Sequence, residues 1–269
     1  MIIIRKIKSV FRIFYQEYKW HRDSKDCRKK LFQKRIQKVP NGKKIILMPH
    51  SDDEWIGCSR ILLHQPEQTL VVNMNMEGGD DEKIHMLRRR EAESVAKKYN
   101  YKFLTVKDHL KDLIQILVDE NPICVFLPCY LDWHEDHITV MRTFSEAASQ
   151  AGYNGKVGMY QVSVPIPEKL INSGIRMTKG QLKEKWKHLK KIYKTQAFLP
   201  TKRFMLNEYI NGAISDSYSL EAYCLMNYNE WKHAINYNLI SDEDRKEVML
   251  HLQDIKKVRE LIGRYIKVV

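Results

Sequence analysis

Short, uniformly apolar runs alternate with longer amphipathic segments through the middle of the chain. The run "KIILM" at 44–48 is typical of a strand buried on both faces, and the segment after it repeats apolar residues at helical spacing. Strands that alternate with helices form βαβ units, so we expect an α/β fold with a mainly parallel sheet between helices. The pattern predicts strands at 44–48, 69–76, 101–106, 123–128 and 156–164, and helices at 55–63, 110–120 and 138–151, with another helix ending near 100.

The first part of the chain has a different pattern. Residues 1–20 place apolar side chains at three- and four-residue steps between basic ones, which predicts an amphipathic helix. Residues 21–40 are predicted to continue as a charged helical connector up to the turn at 39–42. Such a helix either lies in the headgroup region of an anionic membrane or packs on its own domain or on a partner subunit.

These patterns divide the chain into an arm and one domain. The arm is expected at 1–42 and the domain at 43–269. Within the domain, 43–165 carries the alternating elements, and 166–269 is less regular. This last part is predicted to contain a basic helix near 181–194, a loop around Pro200 and a closing helix from about Ser241.

The charge is concentrated in the arm. The chain of 269 residues has a net charge of +13. Residues 1–44 hold fifteen Lys and Arg against three acidic residues, whereas the remainder holds 31 against 30. A nucleic-acid-binding protein that uses the arm is one alternative function, but the body is nearly neutral and has no recognisable nucleic-acid motif. We therefore expect no nucleic-acid partner.

The cysteines indicate the cellular compartment. The five cysteines are scattered and never form a C-x-x-C pair, which argues against a disulfide framework and against a thiolate zinc site. Basic residues interrupt the apolar N-terminus, so it does not resemble a signal peptide, and no stretch approaches the roughly 20 apolar residues that span a bilayer. We expect a cytoplasmic protein, with the arm as a candidate for peripheral attachment to the inner membrane face.

Two polar clusters follow predicted strands directly. The first is "HSDDE" at 50–54, after the strand at 44–48, and the second is "DWHEDH" at 132–137, after the strand at 123–128. In open α/β sheets, ligands bind beyond the carboxyl ends of the strands. If the two strands are near neighbours, the two clusters meet at one edge of the sheet.

Imidazole and carboxylate groups are the donors that zinc and similar divalent ions prefer. His50, Asp53 and His137 would supply the three protein ligands of a catalytic site. Such a site also needs an acid off the metal to accept a proton and a group that stabilises an oxyanion. Asp52 and His134 are the candidates for these roles, and Glu54 is interpreted as a charge that favours the helix start.

In order and spacing, the two clusters resemble the motifs of the PIG-L/LmbE-like zinc-dependent N-deacetylases. The first family motif reads approximately (A/P)-H-P-D-D-E and stands here at 49–54. The second reads approximately H-P-D-H and stands here at 134–137. The resemblance spans about 43–165. Fainter similarities are Arg88-x-x-Glu91, Tyr193-x-x-Gln196 and Glu221-Ala222-Tyr223.

The resemblance implies a Rossmann-like three-layer fold and a role for each matching residue. His50, Asp53 and His137 would bind Zn²⁺ or another divalent ion. The roles of the other four residues would be general base for Asp52, electrophile or general acid for His134, orientation of a histidine for Asp136, and contact with the substrate for Arg88.

The chain departs from the family pattern at three places. Ser51 and Glu135 stand where the family usually has proline, which removes rigidity from two turns. The loop "EGGDDE" at 77–82 replaces a Thr-x-Gly-Glu-like segment, so the part of the pocket that recognises the substrate is expected to differ.

The expected function is therefore hydrolysis of the acetyl group of an N-acetylated amino sugar. The resemblance implies a small glycoside or a glycolipid as substrate, and the basic arm favours a lipid-linked or nucleotide-linked precursor that carries phosphate. An alternative is a metal hydrolase that uses the same site on a phosphoester or on another amide.

Overall fold

The apolar runs form strands of one seven-stranded sheet in a computed structural model that describes residues 2–77 and 81–266. The strands are β1 (Lys44–Met48), β2 (Thr69–Asn73), β3 (Lys102–Thr105), β4 (Cys124–Pro128), β5 (Lys156–Tyr160), β6 (Ser173–Met177) and β7 (Ser219–Asn227). Their order in the sheet is β3-β2-β1-β4-β5-β7-β6. The first five strands pair in parallel, and β7 is antiparallel to both β5 and β6. The predicted α/β fold with a mainly parallel sheet is confirmed.

Helices connect these strands and close the chain. They are α1 (Ile2–Lys29), α2 (Asp53–His64), α3 (Glu82–Tyr99), α4 (His109–Glu120), α5 (Glu135–Gln150), α6 (Lys179–Ile192), α7 (Thr201–Asn211), α8 (Tyr228–Asn238), α9 (Asp242–Leu250) and α10 (Ile255–Arg264). Several of these helices begin at capping residues. For example, the Asp108 carboxylate caps α4, and a capping box formed by Thr178 and Gln181 starts α6.

Alternate residues of each central strand contribute to the two faces of the sheet. Ile45 and Leu47 of β1 pack in one apolar cluster with residues of α4 and α5. Ile46 and Met48 pack in a second cluster with residues of α2, α3 and α6. Both faces are therefore covered by helices, which is the expected three-layer arrangement and explains why β1 is apolar at every position after Lys44.

The sequence prediction of a helical connector up to residue 40 was wrong. α1 ends at Lys29, and the segment after it runs as an extended strap across the domain. The amide of Lys34 donates to Ile214 O and that of Gln37 to Asn172 O, while Ser173 Oγ donates to Gln37 O. These tertiary hydrogen bonds replace the backbone hydrogen bonds that a helix would form. Their partners are distant in sequence, so the local sequence pattern does not predict them.

α1 packs on the end of the domain through its second half. Trp20 is buried with Leu206, Ile210 and Ile255, and its Nε1 donates to Gln253 O. The side chains at 12–15, earlier in the helix, are exposed. The proposed division at residue 42 stays a prediction. Over the described ranges, no helix combines the length and apolar character needed to cross a bilayer.

Candidate active site

The two polar clusters meet at one edge of the sheet because β1 and β4 are adjacent parallel strands. The 49–52 turn leaves β1 and leads into α2, and the 129–134 loop leaves β4 and leads into α5. Gly57 of α2 lies against the ring of Tyr160, where any side chain would collide. Tyr160 in turn donates to Leu47 O. This close contact holds the start of α2 directly over the ends of the strands.

Three of the seven predicted site residues form a compact group of donors. Their ligand atoms all lie within 4.8 Å of one another. Asp53 Oδ2 is 3.2 Å from His50 Nδ1 and 3.6 Å from His137 Nε2. Ligands about 2.0–2.1 Å from a tetrahedral zinc ion are about 3.3 Å apart, so these distances fit such an ion. His50, Asp53 and His137 could therefore hold a divalent metal ion.

Carboxylates lie against the two histidines of this group. Asp132 Oδ2 is 3.0 Å from His137 Nδ1, and Asp136 Oδ2 is 2.9 Å from His50 Nε2. A carboxylate on one ring nitrogen fixes the tautomer and leaves the other nitrogen free for a metal. Asp136 thus contacts His50, and its role in orienting that ring stays a prediction. Asp132 belongs to the same sequence cluster, but it lies outside the motif at 134–137, and the resemblance implies no role for it.

His134 lies beside this group at the mouth of the site. Burial, followed by the charges of His137 and His50, lowers the pKa of His134, so its ring is neutral at pH 7. The amide of Asp136 donates to His134 Nδ1, and in the neutral ring the proton therefore resides on Nε2. His134 lines the cavity that opens over the site, so this N–H can donate a hydrogen bond to a bound molecule. His50, His134 and Asp136 also form a second group of possible ligands.

Asp52 has a strained backbone and an unpaired carboxyl group. Its φ is 149°, a region that costs a non-glycine residue about 1–3 kcal/mol. No described residue donates a hydrogen bond to its carboxyl group, and the residue is only 4% exposed. Burial, together with the charge of Asp53, holds the pKa of Asp52 well above its usual value. The result is a basic carboxylate next to the donor group.

Glu54 has a different environment from the one that the sequence suggested. It lies in the first turn of α2, but its side chain is fully buried rather than exposed to solvent. The hydroxyls of Tyr193 and Tyr101 donate to Oε1, and burial raises the pKa of Glu54 to about 7. The residues that bury Glu54 are distant in sequence, so the local sequence pattern could not predict its burial.

Glu77 explains why position 51 is not proline. Its Oε1 accepts from the amide of Ser51 at 2.8 Å, and its Oε2 accepts from Arg88 Nη1 at 2.8 Å. A proline at position 51 would lack this N–H. The two departures from the family motifs, at position 51 and at the start of the 77–82 loop, are therefore joined by one hydrogen bond. Arg88 lines the cavity with part of its charge compensated by Glu77, and its contact with a substrate stays a prediction.

A cavity of about 460 Å³ opens over the site. Besides the predicted residues, its walls include side chains from the less regular C-terminal part, which sequence reasoning missed because no local motif marks them. Among these are Arg203, Leu252 and Gln253. Trp133, Ser163 and Gln196, the last from the faint Tyr193-x-x-Gln196 similarity, also line the cavity.

No family model and no curated protein matches the chain. Solved structures do match. A conserved protein from Thermus thermophilus matches with a TM-score of 0.52 and 16% identity, over 67% of this chain and 93% of that chain. Teicoplanin deacetylase Orf2 in a zinc-inhibited form matches with a TM-score of 0.50 and 10% identity, over 69% of this chain and 98% of that chain. The A40926 pseudoaglycone deacetylase matches with a TM-score of 0.50 and 13% identity, over 70% of this chain and 99% of that chain.

This chain has the fold of these deacetylases. The structural similarity confirms the resemblance that the motifs indicated, at the level of the fold. Each match covers nearly all of the other protein, so the remainder of this chain is additional to the shared fold.

A buried ionic network lies behind the site, where α2 is kinked at Cys58. The amide of Arg60 donates to Glu221 Oε1 at 2.7 Å, and Lys185 Nζ donates to Ile56 O at 2.7 Å. In a straight helix this amide and this carbonyl would bond to each other. Lys185 also pairs with the carboxylates of Glu221 and Glu208, and these pairs raise its pKa although burial opposes the change.

Proposed function

We propose that the chain is a zinc-dependent hydrolase that removes the acetyl group from an N-acetylated amino sugar and releases acetate. The observation that carries the proposal is the donor group of His50, Asp53 and His137 with an unpaired carboxylate, Asp52, directly beside it. The fold shared with two deacetylases supports the reaction type.

Each side chain has a defined part in this reaction. When bound, zinc polarises the acetyl carbonyl and lowers the pKa of its water to about 7, as in well-characterised zinc enzymes. Asp52 accepts the proton of the attacking water and later delivers a proton to the departing amine. His134 donates from Nε2 to the oxyanion that develops on the carbonyl oxygen. Asp132 and Asp136 keep His137 and His50 in position through the contacts described above.

Metal analysis combined with an acetate-release assay tests the function. The protein is loaded with one equivalent of zinc and offered a panel of N-acetylhexosamine conjugates. We expect stoichiometric zinc after dialysis and acetate from at least one conjugate. His137→Ala is expected to lose zinc under the same dialysis, because the remaining two ligands are too few for a tight site. Release of phosphate instead of acetate, or turnover that persists without metal, would contradict the proposal.

We further propose that α1 attaches the protein to an anionic membrane surface. Between its start and Lys29, α1 carries nine Lys and Arg residues against three acidic residues. Ile13, Phe14, Tyr15 and Tyr18 are between 58% and 68% exposed, on a helix whose second half is held against the domain. Exposed aromatic side chains next to cationic ones are the features of helices that bind anionic lipids. A lipid-linked substrate would then lie at the same surface as the enzyme.

Vesicle sedimentation tests this attachment. We expect the full chain to bind vesicles that contain phosphatidylglycerol and not vesicles of phosphatidylcholine alone. The double variant Phe14→Ser/Tyr18→Ser is expected to weaken binding by about tenfold or more, because each aromatic ring buries apolar area in the lipid. The control is Tyr237→Ser, a comparably exposed tyrosine of α8. Equal binding by wild type and double variant, or no binding by wild type, would overturn the attachment.

A further inference from the structure

Arg203 is a buried cation in the wall of the active-site cavity. It lies on α7 and is 5% exposed, although it lines the cavity together with His137 and Asp53. Its Nη1 donates to Leu252 O at 2.6 Å and its Nη2 to Ser163 O at 3.2 Å. A guanidinium has five N–H groups, so these two bonds leave three, and Nε is buried without an acceptor.

No described carboxylate neutralises Arg203. The acid whose charge acts on it is Asp132, but both oxygens of Asp132 are already occupied. Asp132 Oδ1 accepts from the amide of His134, and Oδ2 accepts from the amide of Ser163 and contacts His137. Burial lowers the pKa of Arg203 to about 10, so the group stays charged at neutral pH. A buried charge of this kind is normally paired.

Cavity-lining side chains outside the donor group carry further N–H donors without an acceptor. They include Trp133 Nε1 and Arg88 Nε, both buried, within the part of the chain that the structure describes. Buried polar groups without partners in the protein are the groups that a bound molecule satisfies. Together with Arg203, the walls of the cavity that also contains His50, Asp53 and His137 therefore hold positive charge and N–H donors without an acceptor in the protein.

The cation and the reaction centre are close enough for one small molecule. Arg203 bonds to Ser163 O, the Ser163 amide bonds to Asp132, and Asp132 contacts His137. Arg203, Ser163 and His137 all line one cavity of about 460 Å³, and Asp132 joins Ser163 to His137 from behind its wall. A substrate whose acetamido group lies at the donor group can thus reach Arg203 with another substituent.

We infer that Arg203, assisted by the Trp133 N–H, binds an oxyanion substituent of the substrate, so that the acetylated amino sugar carries a phosphate or a carboxylate. The inference rests on the proposed deacetylase function and specifies its substrate class. A guanidinium suits this ligand because its planar N–H groups match the oxygens of a phosphate or carboxylate.

The decisive measurement is substrate preference. We compare kcat/KM for N-acetylglucosamine 1-phosphate, N-acetylmuramic acid and the neutral methyl N-acetylglucosaminide. Wild type is expected to prefer one of the two anionic substrates by about tenfold or more, and which of them it prefers identifies the oxyanion. Arg203→Gln is expected to lower this preference about tenfold, mainly through KM. An equal loss on anionic and neutral substrates would show that Arg203 is only structural and would overturn the inference.

Two further variants distinguish a loss of oxyanion binding from a general loss of folding or activity. Lys202→Gln removes the same charge from the neighbouring position, where Lys202 pairs with Glu17 on α1, and should keep the wild-type preference. Trp133→Phe keeps an aromatic side chain, though a smaller one, but removes the N–H, and should lower the preference even if Arg203→Gln does not fold. An unchanged preference in Trp133→Phe and Arg203→Gln would contradict the inference.

A binding experiment separates this inference from the deacetylase function. If no acetylated sugar releases acetate, inorganic phosphate is titrated into the zinc-loaded protein and followed by calorimetry. We expect Arg203→Gln to weaken phosphate binding by about tenfold and Lys202→Gln to leave it unchanged. Phosphate held by zinc alone would bind both variants equally, and that outcome would overturn the role of Arg203.

Discussion

Replacement of Asp52 by Asn is expected to leave the zinc content unchanged and to lower kcat by about 10²–10⁴, the usual contribution of a general base. The amide has nearly the same shape as the carboxylate but cannot accept the proton of water. Asp52 is suited to this role because burial and the neighbouring Asp53 charge raise its pKa and because no described residue donates to its carboxyl group.

A matched control for this variant is Asp108→Asn. Asp108 caps α4 away from the cavity, and Asn and Asp are nearly equivalent at that position. Steady-state acetate release and metal analysis on both variants complete the test. A turnover close to wild type in Asp52→Asn would exclude Asp52 as the base, whereas a loss of zinc would place it among the ligands.

Lys185→Met is expected to reduce the free energy of unfolding by about 3–5 kcal/mol, as for other buried ion pairs that lose one partner. The variant leaves the buried carboxylates of Glu208 and Glu221 without their cation, and it leaves Ile56 O without a donor at the kink of α2. Urea unfolding followed by circular dichroism measures the change.

The control for this stability effect lies on the same helix. Lys187 is exposed, and Lys187→Met should change the unfolding free energy by less than about 0.5 kcal/mol. A loss below about 1 kcal/mol in Lys185→Met would mean that the ionic network does not stabilise the kink. Because α2 carries Asp52 and Asp53 at its start, a measured decrease in zinc affinity in the same variant would link the network to the site.

Both predictions concern α2, but they differ in what the sequence could reveal. The first cluster follows an apolar run, and such a run predicts a buried parallel strand whose carboxyl end is a binding position. The adjacent acids Asp52 and Asp53 therefore had an interpretation before the structure. The buried position of Lys185 could not be predicted, because a lysine in a basic amphipathic helix normally faces solvent.

The sequence by itself determined the alternating strands and helices of the middle of the chain and the residues that meet at the edge of the sheet. It could do so because both signals are local. Burial on two faces makes a strand continuously apolar, and ligands follow such strands within a few residues. β1, β4 and the clusters at 50–54 and 132–137 are the clearest examples.

Only the tertiary structure decided which distant residues complete the site. The partners of Glu54, Ser51 and Trp20 lie up to 233 positions away in sequence, and Arg203 became a wall residue only through the packing of α7. Pairings at such separations depend on how helices pack against the sheet, and no periodicity along the chain encodes that arrangement. The antiparallel β7 between β5 and β6, and the strap after Lys29, were decided in the same way, by hydrogen bonds between segments far apart in sequence.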